Sequence, residues 1–189
     1  MTFSILWQFL YYGWVVSELA VAIGTRTRRD RGNVRDRGTL YLLWAVIFTS
    51  MTVGLSWTDM RTFGNVPGVH WMIWFALALF VFGFALRWIA IFSLGKSFSS
   101  NVAIHSTQKL NQSGLFRVVR HPSYTGLLLI FLAMGLDTHN WLGLGLIVLL
   151  PAAALLYRIH VEEAALAGAF GAEYVAYSRR VKRLIPGIY

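Results

Sequence analysis

Apolar residues in this chain gather into five long segments that shorter polar stretches separate. The segments cover approximately residues 5–24, 40–57, 69–94, 122–136 and 141–157. The first three are each long enough to cross the ~30 Å hydrocarbon core of a bilayer as a helix. The fourth would extend only roughly 22 Å at ~1.5 Å per residue. We therefore expect it to lie in thinned bilayer or to begin within the headgroup region.

A different periodicity follows the fifth apolar segment. Apolar side chains recur at intervals of four, four, three and four residues, at Leu166, Phe170, Tyr174, Tyr177 and Val181. This spacing predicts an amphipathic helix, and the basic residues at its end favour a position along the membrane interface.

The pattern as a whole predicts an all-α, polytopic membrane protein. We expect about five transmembrane helices and an interfacial C-terminal amphipathic helix in a single membrane domain, residues 1–189. Residues 1–94 would contain three of the transmembrane helices. Residues 95–189 would contain the other two, together with the cytoplasmic tail and the polar residues that could form a functional site.

Composition agrees with a membrane protein and narrows its chemistry. Hydrophobic residues make up 57% of the chain and charged residues 13%, against about 25% charged in an average soluble domain. The chain has no cysteine, which excludes disulfides, thiolate catalysis and cysteine-ligated metal. His70, His105, His139 and His160 show no ligand spacing with carboxylates, so no metal site is expected.

The net charge of +9 belongs mainly to the connections between apolar segments and to the tail. Basic residues concentrate in 25–38, in 95–121 and from Arg179 onward, whereas the two other connections contain only Arg61. With five spans, the three basic regions fall on one side, which the positive-inside rule assigns to the cytoplasm. The amino terminus is then outside and the carboxyl terminus inside, and binding of nucleic acid is not expected.

Two polar groups flank the last two apolar segments. The first is 120–126, at the start of the fourth segment, and the second is 158–163, after the fifth. The turn 137–140 is short enough to make the two helices antiparallel neighbours. His121 lies about 24 Å of helix before this turn and Arg158 about 27 Å after it. The helix lengths therefore place both polar groups at the same depth, in one candidate site on the cytoplasmic face.

Individual residues in these groups suit a binding site. Pro122 fits the first turn of a helix, which places His121 near the N-cap, beside free backbone N–H groups that can bind an anion or an acceptor oxygen. Arg158 and Glu162 are four residues apart and share one helix face. An ionisable pair at this depth is costly and should be paired or functional.

Structural interpretations of the same residues remain open. The His121–Pro122 pair is also typical of a simple capping turn, and Tyr124 of an interfacial aromatic. Arg158 could be a snorkelling charge with Glu162 as its partner. A further pair, Glu18 and Arg87, is expected to form a structural ion pair rather than to act in catalysis.

The ordered set of motifs resembles the isoprenylcysteine carboxyl methyltransferase family. The resemblance is carried by 114–126, by 158–163 and by 170–177, and the ending 183–189 is similar to that of prokaryotic members. It covers roughly the last 85 residues. Lys182 stands where many relatives have proline.

The resemblance implies S-adenosylmethionine as methyl donor, in a cytoplasm-facing pocket built by the last two helices, the loop before them and the tail. Arg158 and Glu162 are the implied catalytic residues, with Arg158 holding the carboxylate of a lipidic acceptor, such as a prenylcysteine, that enters from the bilayer. The implied cofactor-binding residues are Gln108, His121, Pro122, Tyr124, Gly126, Glu162 and Glu163. Methylation of a carboxylate needs no general base, only alignment and exclusion of water.

Three other functions fit parts of the pattern. Membrane sterol reductases that use NADPH share a similar histidine, tyrosine and glycine run, but they are typically larger. Phospholipid amine N-methyltransferases share the architecture, although Arg158 would then have no carboxylate to hold. A non-enzymatic helical scaffold would explain the spans and the basic face, but not two polar groups at one depth.

Overall fold

The computed structural model describes residues 2–25, 33–34, 38–60, 63–66, 70–100, 103–104 and 109–189. One predicted cofactor-binding residue, Gln108, lies outside these ranges. The described chain is all-α apart from one very short strand pair, as the apolar pattern predicts.

The described part of the chain contains six α-helices. They are α1 (Thr2–Gly24), α2 (Thr39–Met60), α3 (His70–Leu94), α4 (Pro122–Asp137), α5 (Trp141–Phe170) and α6 (Ala172–Arg180). Two 3₁₀ turns, Gly95–Ser97 and Gly114–Arg117, follow α3 and precede α4. Strand β1 (Asn33–Val34) pairs antiparallel with β2 (Ala103–Ile104), and this pairing joins the segment after α1 to the segment after α3.

Four helices in the described part of the chain are long and apolar enough to cross a membrane. They contain the stretches Ile5–Gly24, Thr39–Ser56, His70–Leu94 and Trp141–Phe170. Helix α4 is apolar but has only 16 residues. The protein is therefore an integral membrane protein, and the expected short fourth helix is present.

Helix α5 is longer than the sequence predicted. The apolar segment was expected to end at residue 157, but the helix continues without interruption to Phe170 and is 30 residues long. Its polar residues find partners inside the protein, so the helix need not end where the apolar run ends. Gly171 then adopts a φ of +53° and separates α5 from α6. The predicted amphipathic helix is thus divided between these two elements.

Two glycines bring the backbones of α3 and α4 into contact. A Cβ atom on Gly126 would lie 2.6 Å from the carbonyl oxygen of Gly83 and 2.8 Å from the backbone nitrogen of Arg87. Small residues at a helix crossing permit this approach within a membrane. The contact fixes the first turns of α4 against the part of α3 that carries Arg87.

The turn between α4 and α5 is held by Asn140, whose side chain is buried. Its Oδ1 accepts hydrogen bonds from the backbone N–H groups of Leu142 and Gly143, at 2.9 and 3.0 Å, and so caps α5. Its Nδ2 donates to the carbonyl oxygen of Phe63 and to Oδ1 of Asn65. One amide therefore ties the α4–α5 hairpin to the connection between α2 and α3.

The glycine contact between α3 and α4 gives a test of packing. We expect Gly83→Ala to lower the free energy of unfolding by about 1–3 kcal/mol, because its Cβ would meet the Gly126 carbonyl oxygen at 2.7 Å. Thermal unfolding in detergent would measure the change. Gly145→Ala is the matched control, since a Cβ there meets nothing within 4 Å. Equal effects of the two substitutions would contradict the close approach.

Candidate active site

The two polar groups that the sequence predicted at one depth lie side by side. The hydroxyl of Tyr124 donates a hydrogen bond to Oε2 of Glu162 at 2.8 Å. It accepts one from Nε of Arg158 at 3.0 Å. The Tyr124 hydroxyl thus links the cation and the carboxylate across the two helices.

Arg158 is held by groups from three other parts of the chain. Its guanidinium donates to Tyr124 on α4, to Oγ1 of Thr39 at 2.8 Å, and to the carbonyl oxygen of Ser100. Thr39 is the first residue of α2, and Ser100 follows the 3₁₀ turn after α3. Only 3% of Arg158 is exposed to solvent, so its orientation is fixed by these contacts.

His121 forms the entrance to α4, as Pro122 predicted. Its carbonyl oxygen accepts from the backbone N–H groups of Tyr124 and Thr125. Its ring stacks on that of Tyr124, with 5.6 Å between centroids and 16° between planes. The ring nitrogens lie 3.3 Å from Glu163 and 3.8 Å from Glu162. The buried ring therefore faces both carboxylates of α5.

Glu163 joins α5 to the segments before α4 and after α6. One of its oxygens accepts from Nε and Nη2 of Arg120, at 2.9 and 2.6 Å. The other oxygen accepts from Nε of Arg183 at 2.9 Å. Arg120 also donates to the carbonyl oxygens of Ser178 and Val181. Sequence reasoning grouped Glu163 with the cofactor ligands, and the structure places it in this ion-pair network beside the cleft.

Helix α6 and the residues after it cover these groups, and together with Phe116 they form the roof of the site. The backbone N–H of Arg120 donates to the carbonyl oxygen of Lys182 at 2.7 Å. The hydroxyl of Tyr177 donates to the carbonyl oxygen of Phe116 at 2.7 Å. Burial raises the pKa of Tyr177 to about 12, against the opposing charge of Arg120. The hydroxyl therefore stays protonated, and keeps donating, well into the alkaline range.

A polar, aromatic-lined cleft lies beneath this roof. Its empty volume is about 910 Å³, with open solvent at its mouth included. Its polar lining includes His121, Tyr124 and Glu162, and Pro122 lies among them. Its apolar lining includes Phe98, Leu110, Phe116, Leu166, Tyr174 and Tyr177. The sequence analysis predicted the polar residues but missed the aromatic roof, although Tyr174 and Tyr177 already stood out in the apolar spacing of the tail.

A second, mainly apolar cavity lies on the other side of Tyr124. Its empty volume is about 520 Å³, again with open solvent included. Its apolar lining includes Trp14, Val21, Leu43, Trp44, Ile47 and Leu127, and its charged lining Glu18, Arg87 and Arg158. Phe98, Ser99 and Tyr124 line both spaces. The cleft and the cavity therefore share one wall, to which Tyr124 and Ser99 contribute polar groups.

The expected ion pair between Glu18 and Arg87 is present and joins α1 to α3. Both side chains are buried, and the guanidinium of Arg87 contacts both oxygens of the Glu18 carboxylate. Arg87 also donates from Nη1 to Oγ of Ser123 at 2.8 Å. The pair thus reaches the first turn of α4, beside Tyr124.

Gly126 differs from the other predicted cofactor-binding residues of α4. It lies at the contact with Gly83 and Arg87, where it permits helix packing. Its role as a cofactor ligand, which the resemblance implies, stays a prediction, as does that of Gln108.

The fold and the two-sided site define a membrane-embedded protein with adjoining polar and apolar binding spaces. A sequence model of the isoprenylcysteine carboxyl methyltransferase family matches residues 76–168. The probable protein-S-isoprenylcysteine O-methyltransferase of Oryza sativa subsp. indica is 30% identical over 174 residues, which cover 91% of this chain and 90% of the rice protein. The chain belongs to the isoprenylcysteine carboxyl methyltransferase family.

Other relatives match a smaller part of their own length. Protein-S-isoprenylcysteine O-methyltransferase B of Arabidopsis thaliana is 32% identical, over 64% of each chain. Methanethiol S-methyltransferase 2 of Bradyrhizobium diazoefficiens is 35% identical, over 65% of this chain and 46% of its own. The solved structure of a eukaryotic intramembrane Ras methyltransferase of the family superposes with a TM-score of 0.65 at 26% identity, over 77% of this chain and 52% of that one.

The ion-pair network around Glu163 gives a second test. We expect Glu163→Gln to lower the free energy of unfolding by roughly 3 kcal/mol, because it leaves two arginines without their shared carboxylate. Thermal unfolding of the purified protein would measure this change. Glu173→Gln is the control, since Glu173 is exposed and accepts from the side chain of Gln112 alone among the contacts described. A loss no greater than that of the control would show that the network does not hold the roof in place.

Proposed function

We propose that this protein transfers a methyl group from S-adenosylmethionine to the carboxylate of a lipidic acceptor, such as a prenylcysteine, and forms a methyl ester. The observation that carries the proposal is the wall shared by the polar cleft and the apolar cavity. Glu162 and Arg158 contact the same Tyr124 hydroxyl in this wall. A soluble donor on one side and an apolar acceptor on the other would meet there.

The cleft suits the proposed donor. When bound, S-adenosylmethionine supplies an electrophilic methyl group on a positively charged sulfonium. The aromatic rings of Phe116, Tyr174 and Tyr177 can pack against an adenine ring. The carboxylate of Glu162, the one acidic side chain among the described residues that line the cleft, would attract the positive charge. His121 would complete the wall, and Glu163 would act through it.

The cavity suits an acceptor with a hydrocarbon chain and a carboxylate. The apolar walls would bury the chain, and Arg158 would bind the carboxylate through two N–H groups. The neutral oxygens of Tyr124, Thr39 and Ser100 hold the guanidinium in place beforehand. Because the carboxylate is already ionised near neutral pH, the site must align its oxygen and exclude water, but it needs no base.

The proposed orientation places the basic face, the carboxyl terminus and the cleft in the cytoplasm. The basic residues Arg120, Lys182 and Arg183 lie together beside the cleft, which agrees with the positive-inside rule. The amino terminus would then be outside. A cytoplasmic cleft would receive a soluble donor while the acceptor enters from the bilayer.

A thiol acceptor is a second candidate, which the similarity to the Bradyrhizobium methanethiol S-methyltransferase favours. A small neutral thiol offers no charge for a guanidinium to bind, whereas Arg158 lies at the boundary between the two spaces. A thiol would also have to lose its proton before attack. The carboxylate is therefore the better match to the site.

Methyl transfer can be tested directly with the purified protein and methyl-labelled S-adenosylmethionine. We expect labelling of prenylcysteine and other single-chain lipid carboxylates, and not of phosphatidylethanolamine or methanethiol. Alkaline hydrolysis should release the label as methanol, as it does from an ester. Labelling of methanethiol alone would establish the thiol function instead. Transfer to none of them, together with binding of NADPH, would contradict the proposal.

Arg158 provides a test within the site. We expect Arg158→Ala to lower kcat/KM for the lipid carboxylate at least about 100-fold, which corresponds to about 2.7 kcal/mol of transition-state stabilisation. Affinity for S-adenosylmethionine, measured by calorimetry, should change much less, because Arg158 lines the acceptor cavity and not the cleft. Arg179→Ala, in the exposed part of α6, is the control. Equal losses of cofactor affinity and activity would instead place Arg158 in the donor site.

A further inference from the structure

The apolar cavity carries two arginines at the same end. Arg87 and Arg158 both line it. They are anchored to adjacent residues of α4, Arg87 to the hydroxyl of Ser123 and Arg158 to that of Tyr124. A carboxylate that enters this cavity therefore encounters two guanidinium groups, and each is a strong carboxylate binder.

The two arginines differ in their relation to the polar cleft. Arg158 lies on α5, one helical turn from Glu162, and both contact the Tyr124 hydroxyl in the shared wall. Arg87 lies on α3 and is directed towards α1 by its contacts with Glu18. A carboxylate bound to Arg158 would face the wall, and one bound to Arg87 would be held against α1 and α3. Only the first arrangement is productive.

We propose that Glu18 is a positioning residue that keeps Arg87 from capturing the acceptor's carboxylate and so directs it to Arg158. The inference rests on the proposed function, because it takes the apolar cavity to be the acceptor's site. Glu18 meets the guanidinium of Arg87 with both oxygens, and both residues are only 6% exposed. The intramolecular carboxylate thus occupies the position that an acceptor carboxylate would otherwise take.

Stability alone does not account for this ion pair. The attraction between two buried charges roughly offsets the cost of removing them from water, and an apolar pair of similar size is often as stable. Inside a membrane, buried charges cost additional free energy and usually mark a functional region. A role in directing the acceptor's carboxylate to Arg158 explains why the pair faces the cavity.

Binding without a methyl donor tests the inference independently of turnover. The ligands are a prenylcysteine and its methyl ester, which lacks the negative charge, and the proteins are the wild type and Glu18→Gln. We expect Glu18→Gln to bind the acid about tenfold more tightly, with ester affinity unchanged, because Arg87 becomes available to the acid. In turnover assays KM and kcat should fall together, as they do when binding is nonproductive. Glu173→Gln is the control and should match the wild type.

The double variant Glu18→Gln/Arg87→Met helps to distinguish a role in directing the acceptor's carboxylate, which we call sorting, from a purely structural role. It removes both the competing guanidinium of Arg87 and the carboxylate that pairs with it. We therefore expect kcat and the acid-to-ester affinity ratio to return to within about threefold of wild type. If the pair is only structural, Glu18→Gln will change the affinities for acid and ester alike, so that the acid-to-ester affinity ratio stays at the wild-type value in both variants. If Glu18→Gln is too unstable to purify, Glu18→Asp takes its place, because its shorter side chain uncovers part of the Arg87 guanidinium and should still give an acid-specific gain in affinity.

The outcomes distinguish this inference from the proposed function. A wild-type protein that binds the acid but transfers no methyl group would contradict the function, while a tightened acid affinity in Glu18→Gln would still support the sorting role. A wild-type protein that methylates the acid, with unchanged or weakened acid affinity in Glu18→Gln, would overturn the sorting role alone.

Discussion

The pairing of charges that a membrane protein buries is the constraint on which this structure depends. Arg87 meets Glu18, Arg120 meets Glu163, and Arg158 is linked through Tyr124 to Glu162. Each contact joins two different elements of the chain, so the pairs fix how the helices are arranged around the site. The cost of leaving any of these charges without a partner in a low-dielectric region makes the arrangement specific.

The first turn of the short helix α4 contacts two of these buried charges, because Ser123 bonds to Arg87 and Tyr124 to Arg158. Helix α4 has only 16 residues, and the tail binds its start: the backbone N–H of His121 donates to the carbonyl oxygen of Arg183, and the Thr125 hydroxyl donates to that of Leu184. The close contact between Gly83 and Gly126 holds the turn against α3. The cleft and the cavity then share the wall that contains Tyr124.

The relatives indicate which part of this arrangement is general. Proteins named as isoprenylcysteine O-methyltransferases and one named as a methanethiol S-methyltransferase are both similar to this chain. A shared donor cleft with different acceptor cavities would explain how one architecture serves acceptors so unlike in size and charge. In this chain the apolar cavity contains Arg158 and the ion pair of Arg87 with Glu18, and such a lining suits a carboxylate with an apolar chain.

The sequence by itself determined the helices and the meeting of the two polar groups, because long apolar runs, Pro122 at a helix start and a four-residue turn act locally. Only the tertiary structure decided where α5 ends, that Glu163 pairs with Arg120 and Arg183, that Tyr177 and Phe116 close the roof, and that Arg87 faces the apolar cavity. These outcomes depend on the rotation of each helix about its axis. That rotation is set by long-range packing such as the Gly83–Gly126 contact, which no local pattern encodes.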